Sequence, residues 1–211
     1  DMKTIVHEIP YSPASNLDEE IFTASSVFFD IETTGFSPAH TSLYLIGCAY
    51  HIEQMLYIKQ FFAETPEEEK EVLEQFLLLL DGFDTIITFN GIGFDIPYLK
   101  AKCNTYECNE HFADFTYVDI FKSISQIKHI LQLPNYKQKT IEAFLGIGRD
   151  DLYSGGELIE IYHSYTKEPR PDKLEILLLH NYEDVLDMPA LLPVLSYVHL
   201  FYGQYLSCSA S

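Results

Sequence analysis

The rhythm of apolar positions changes part-way along this chain. In the first half they come as short, dense runs: SSVFFDIE (residues 25–32), LYLIGCAYH (43–51), QMLYIKQFF (54–62) and DTIITFN (84–90), bounded by turn formers such as TTGFSP and GIGF. Runs of this length, rich in β-branched and aromatic side chains, predict buried strands. The polar pair Glu53-Gln54 joins the second run to the third, so the first three form a meander. After them, Thr65-Pro66-Glu67-Glu68 offers a cap, a first-turn proline and acids suited to a helix N-terminus, ahead of EVLEQFLLLL and the stop Asp81-Gly82. DIPYLKAKC starts a second helix with Pro97 in its first turn, FTYVDIF (115–121) can make a fifth strand, and helical spacing dominates from Phe121 onward.

Strands first and helices later imply an α/β sandwich with a five-stranded mixed sheet, three antiparallel strands extended by two parallel ones through helical crossovers. Residues 1–24 hold two prolines and little periodicity and read as an extended lead-in; residues 25–205 read as one domain. A chain of 211 residues that is 47% hydrophobic can bury one sizeable core. No apolar run reaches the roughly 18 residues of a membrane span, and the start lacks the basic-then-apolar order of a secretory signal. Cys48, Cys103, Cys108 and Cys208 are too scattered to staple the chain, so a soluble, cytoplasmic protein without membrane contact is expected. Asp1 ahead of Met2 reads as a residue left from expression.

The net charge of −19 sits awkwardly with nucleic-acid binding, which usually needs a basic footprint. The charge is uneven, however: Lys100, Lys102, Lys122, Lys128, Lys137, Lys139 and Arg149 outnumber the acids of residues 100–149, a segment that is either a substrate-facing patch or ordinary helix surface.

Asp30 and Glu32 are two apart on a strand, so the pleat sends both to one face, where two carboxylates at the end of an apolar strand are costly without a cation. Asp95 follows the fourth strand and opens a helix, where an acid can simply cap backbone N–H groups; Asn90, at the strand end, turns the same crevice toward ligand binding. In LLLHNYEDVLDM, on a helix expected from about Asp172, His180 and Asp184 are four apart and share a face. Tyr182 lies on another face, whereas Asp187 rivals Asp184 and helix geometry alone does not separate them.

VFFDIETTGF, FNGIGFDIPYL and HNYEDVL together resemble the three motifs of the DEDD (DnaQ-like) 3'-to-5' exonuclease superfamily, which has a ribonuclease-H-like fold. YVDIF, FLGIGRDDLYSGGE and HNYEDV further resemble its YprB-type branch, and the similarity spans roughly residues 25–192. The resemblance implies that Asp30, Glu32, Asp95 and Asp184 bind two divalent cations and favours Asp184 over Asp187. It also implies that the loop Thr33, Thr34, Gly35 and Phe36 touches the terminal nucleotide, with Phe36 stacked on or wedged against its base, and that Asn90 holds substrate or orients a ligand. Superfamily members carry either Y-x3-D or H-x4-D in the third motif; here His180 stands at the tyrosine's spacing and is the candidate general base.

An all-oxygen carboxylate set suits Mg²⁺ or Mn²⁺, two ions clamping the attacking and leaving oxygens of a phosphodiester. The expected activity is exonucleolytic release of nucleoside 5'-monophosphates from single-stranded 3' ends of DNA or RNA. A structure-selective endonuclease and a catalytically silent nucleic-acid-binding module are the alternatives. An accessory domain or protein partner would help so acidic a chain to hold its substrate. Asp119 is a helix cap or a supporting site residue, and Arg149, near Gly155-Gly156, a phosphate contact or part of an ordinary loop. Cys103, Cys108 and His111 match no standard zinc site.

Overall fold

The computed structural model describes residues 1–202 and 207–209, with side chains up to residue 200. The strands are β1 (Lys3–Pro10), β2 (Ser26–Thr33), β3 (Leu43–Ile52), β4 (Met55–Phe62), β5 (Thr85–Thr88), β6 (Thr116–Asp119) and β7 (Ser207–Ser209). The helices are α1 (Asn16–Ile21), α2 (Glu69–Leu80), α3 (Asp95–Tyr106), α4 (Ile120–Ser125), α5 (Lys128–Leu131), α6 (Gln138–Phe144), α7 (Gly155–Lys167), α8 (Pro171–Leu191) and α9 (Leu195–Tyr202). The expected mixed α/β sheet is present, in the order β1-β4-β3-β2-β5-β6-β7. The β2-β3-β4 meander is antiparallel, and β2, β5 and β6 run parallel.

Among the described residues the sheet has seven strands where five were expected. The difference lies at the two edges, β1 and β7, which pair antiparallel with β4 and β6. The lead-in is therefore not outside the fold: Lys3 to Pro10 align residue by residue with Phe62 to Met55, and Ser15 caps α1 by accepting from the Asp18 N–H. An edge strand needs only backbone partners on one side, so it forms without the apolar run that marks a central strand, and Pro10 is tolerated at its end. The expected domain end at residue 205 and the Cys208 side chain lie outside the described residues. Among the described residues no helix is long and apolar enough to cross a membrane.

Strand β2 is central and packed on both faces, which is why its sequence reads as a continuous apolar run. Val27, Phe29 and Ile31 join one core cluster with Val72, Phe76 and Leu80 of α2 and Leu99 of α3. Phe28, on the alternate face, packs in the cluster of Val185, Met188 and Leu191 from α8. Asp30 and Glu32 share the parity of Phe28, so the pleat delivers both carboxylates to the α8 side. The β2–β3 register shifts between Glu32 and Thr33, and the strand ends there in a bulge beside the site.

Candidate active site

The side chains of β2, α3 and α8 meet at the end of β2. His180 Nε2 lies 3.3 Å from Asp184 Oδ2 and 3.6 Å from Glu32 Oε1. One donor atom from each of these three residues falls within 4.8 Å of the others. Asp30 sits beside them, held by Asn181, whose Nδ2 donates to Asp30 Oδ2 at 3.3 Å. Asn181 in turn accepts from Gln60 Nε2 at 3.0 Å, and Gln60 also donates to the Leu178 carbonyl at 2.9 Å. The contact requires Gly47, which pairs with Asp30 across the sheet: a Cβ there would come within 2.0 Å of Asn181 Oδ1. Glycine inside an apolar strand marks such a close approach.

The carboxylates are held against their ionisation. Burial raises Asp30 well above the ordinary carboxylate range, followed by the charges of Asp184, Asp95 and Glu32. Glu32 is raised likewise, by burial and then by Asp184, Asp95 and Asp151. Asp95 is pushed up to about 7, chiefly by burial and with Asp119 and Asp184 adding to it, although the N–H groups of Asp95 itself and Ile31 hydrogen-bond the charged form. Asp95 thus stands in the first turn of α3, which has no side-chain cap, and faces the cluster. Burial also raises Asp184, opposed by His180 and Arg149.

A segment after α6 closes over α8. Glu183 accepts the backbone N–H groups of Asp150 and Asp151, each at 2.8 Å, and so clamps that loop to the helix. Asp151 Oδ2 then meets His180 Nδ1 at 2.6 Å and accepts from Lys139 Nζ at 2.6 Å. Despite its burial, Asp151 is held below the usual carboxylate range by Lys139, the Tyr153 N–H and His180. Arg149 is buried rather than turned to solvent as a phosphate contact: it donates to Asp184 Oδ1 and to both oxygens of Glu142, and lies 3.8 Å from Asp187. Asp187 is thereby placed on the Arg149 and Glu142 side, where burial pushes it up to about 7. Tyr182 points elsewhere, with its ring 4.8 Å from that of His7.

A family model of the RNase_H superfamily matches residues 27–196. The chain belongs to that superfamily. The uncharacterized protein YprB of Bacillus subtilis (strain 168) is 29% identical over 177 residues, covering 82% of this chain and 41% of YprB, so the chain spans less than half of that relative. A DNA polymerase of Methanocaldococcus jannaschii is 42% identical over 43 residues, 20% of this chain and 3% of the polymerase. The family B DNA polymerase from the hyperthermophilic archaeon Pyrobaculum calidifontis shares the fold at a TM-score of 0.61 and 18% identity, over 83% of this chain and 24% of that one. The ribonuclease-H-like fold and the likeness to YprB expected from the motifs are both found.

Around the site of this RNase_H superfamily member, the threonines of the first-motif loop shape the backbone. Thr33 Oγ1 donates to the Gly35 carbonyl at 2.8 Å, and Thr34 exchanges hydrogen bonds with Ser42. Gly35 has φ +153°, and a Cβ there would press on Thr41 at 2.8 Å. Phe36 is 89% exposed, with the Phe94 ring 5.8 Å from its own. Asn90 adopts φ +66°, and its N–H donates to Asp119, as does that of Ile92. Asp119 also caps α4 through the Lys122 N–H, so it is both a helix cap and the brace of the second-motif turn. Cys103 is buried in the core, apart from this cluster, and His111 pairs with Asp81 at 3.5 Å.

Sequence reasoning passed over Asn181, Gly47, Gln60, Glu142 and Glu183, saw Lys139 only as one of the basic residues of 100–149, and saw Asp151 only as part of a loop. Gly47 within LYLIGCAYH was the one local signal available. Asp151 is 29 residues from His180, so no helical or strand spacing links them.

Proposed function

We propose that the chain is a metal-dependent 3'-to-5' exonuclease that hydrolyses phosphodiester bonds at single-stranded DNA or RNA ends and releases nucleoside 5'-monophosphates. The observation that carries this reading is the convergence of four carboxylates and one imidazole at the end of β2, where burial and mutual repulsion disfavour the anions. The donor set is oxygen-rich and lacks a thiolate, which suits hard cations such as Mg²⁺ or Mn²⁺. Asp30, Glu32, Asp95 and Asp184 would hold two of them. Such ions supply Lewis acidity to the phosphodiester and offset the local negative charge.

The remaining roles belong to the chain itself. Asp151 fixes Nδ1 of His180, which leaves Nε2 facing the carboxylates as the atom that takes the proton of the attacking water. Arg149 keeps Asp184 in place instead of reaching the substrate. Phe36, projecting from the loop, stacks on or wedges against the terminal base, and Asn90 contacts the adjoining nucleotide.

The test is digestion of end-labelled DNA and RNA with Mn²⁺, using Asp30→Ala as control. Mononucleotides released from the 3' end, and none from the variant, support the proposal. Internal fragments would replace it with an endonuclease, metal-independent cleavage would remove the metal from the reading, and absent cleavage would remove the enzymatic reading.

A further inference from the structure

Beside the carboxylate cluster lies a second recess, built from segments that none of the three motifs explains in full. Its volume is about 440 Å³, and Phe89, Phe121 and Tyr136 supply aromatic surface to it. Lys128 and Lys137 supply cations, and no acid lines it. Asn90, from the second motif, and Gln138, at the start of α6, line it as well. Gln138 Nε2 donates to the Asp184 carbonyl at 2.8 Å, so this wall is tied directly to the catalytic helix. A neighbouring cavity of about 420 Å³ reaches His180 and Asp184 and shares Lys137 and Gln138 with the recess. The two form adjoining compartments of one surface.

The recess is organised. Tyr136 Oη donates to the Lys128 carbonyl at 2.8 Å and accepts from the Leu133 N–H at 3.2 Å, which fixes the ring. Lys128 Nζ lies 4.6 Å from the Phe121 ring centre and 4.9 Å from that of Tyr136. Phe89 and Phe121 meet at 5.8 Å. Neither Lys128 nor Lys137 has a carboxylate partner among the described residues, in a chain of net charge −19 where Lys139 and Arg149 are both paired. Aromatic faces next to unpaired cations match the way unpaired nucleotides are held: a base on the ring and a phosphate on the ammonium.

Resting on the nuclease reading above, we propose that this recess binds an unpaired nucleotide of the substrate strand at least one position away from the bond that is cut. The strand leaves the carboxylates past Gln138 and Lys137. Its base stacks against Tyr136, and its backbone phosphates meet Lys128 and Lys137. The site makes a longer strand bind better than a short one, and it gives this acidic molecule a small basic footprint next to its chemistry.

The experiment measures fluorescence anisotropy of a labelled dinucleotide and a labelled single-stranded octanucleotide, with Ca²⁺ in place of Mn²⁺, across a salt series. The intact protein should hold the octanucleotide about tenfold or more tighter than the dinucleotide, the scale of one stacked base. Lys128→Gln/Lys137→Gln should abolish most of that advantage and flatten the salt dependence of log Kd by about 1.4, roughly 0.7 for each single-strand phosphate that is no longer neutralised. Tyr136→Leu should reduce the length advantage with a smaller change in salt slope, and Lys137→Gln alone, at an exposed position, guards against misfolding of the double variant. A length advantage missing from the intact protein, or retained with unchanged slope in the lysine variants, would overturn the proposal. Cleavage with Mn²⁺ is read separately: its absence alongside lysine-dependent octanucleotide binding would fail the nuclease reading and leave the binding site standing.

Discussion

His180 is where side-chain chemistry is most concentrated, with Asp151 on one ring nitrogen and Glu32 and Asp184 on the other. Its i, i+4 relation to Asp184 was legible because helix geometry is local. The partner that sets its orientation was not, because Asp151 comes from a loop clamped by Glu183. If Nε2 accepts the proton, His180→Ala should lower turnover by about 10²- to 10⁴-fold, the range for a lost general base. Asp151→Asn should cost less, since it keeps a polar partner for Nδ1 while removing the charge that favours the catalytic tautomer. Steady-state kinetics with Mn²⁺ on a short single-stranded oligonucleotide checks both; near-normal turnover in His180→Ala would end its assignment as the base.

Strand β2 and helix α8 act as a pair, and their contact is cut to fit at Gly47. A strand glycine costs conformational entropy, yet here it opens the passage by which Asn181 reaches Asp30 over β3. Gly47→Ala should therefore destabilise the fold by about 1–3 kcal/mol, the usual cost of overpacking, and reduce activity as Asn181 is driven from Asp30. Adding Asn181→Ala removes the clash, so the double variant should be more stable than Gly47→Ala alone while activity stays low. Chemical denaturation and kinetics on the four proteins of this cycle measure the coupling, and simple additivity would argue against it. The other elements at the site were readable in proportion to their regularity. DIPYLK gave α3 and its first-turn proline, whereas Asp119 bracing Asn90 and Ile92 joins positions about 30 residues apart and left no periodic trace.

Over the whole molecule, acidic groups dominate, and the site concentrates their effect. Asp95 and Asp187 are each pushed to about 7, and Asp30 and Glu32 are raised as well. An unfolded carboxyl titrates near about 4, so between about pH 4 and 7 the folded metal-free protein binds protons the unfolded chain does not. Its stability should rise as pH falls from about 8 toward 6, with these groups accepting protons. Asp151, shifted the other way, weakens the fold only below the ordinary carboxylate range and leaves that window untouched. Mn²⁺ should raise Tm more at pH 8 than at pH 6, because protons and cations compete for the same oxygens, and Asp30→Asn should shrink that gain. Scanning calorimetry with and without Mn²⁺ at the two pH values tests this, and a metal-free Tm that falls on acidification through this window would contradict it. By itself the sequence determined what depends on neighbours along the chain: the central strands, the main helices, the shared face of Asp30 and Glu32, and that of His180 and Asp184. Only the tertiary structure decided that residues 3–10 complete the sheet, that Arg149 serves Asp184, and that Asp151 orients His180. Those contacts satisfy backbone edges and buried charges across long stretches of chain, and no local periodicity records which distant group will do so.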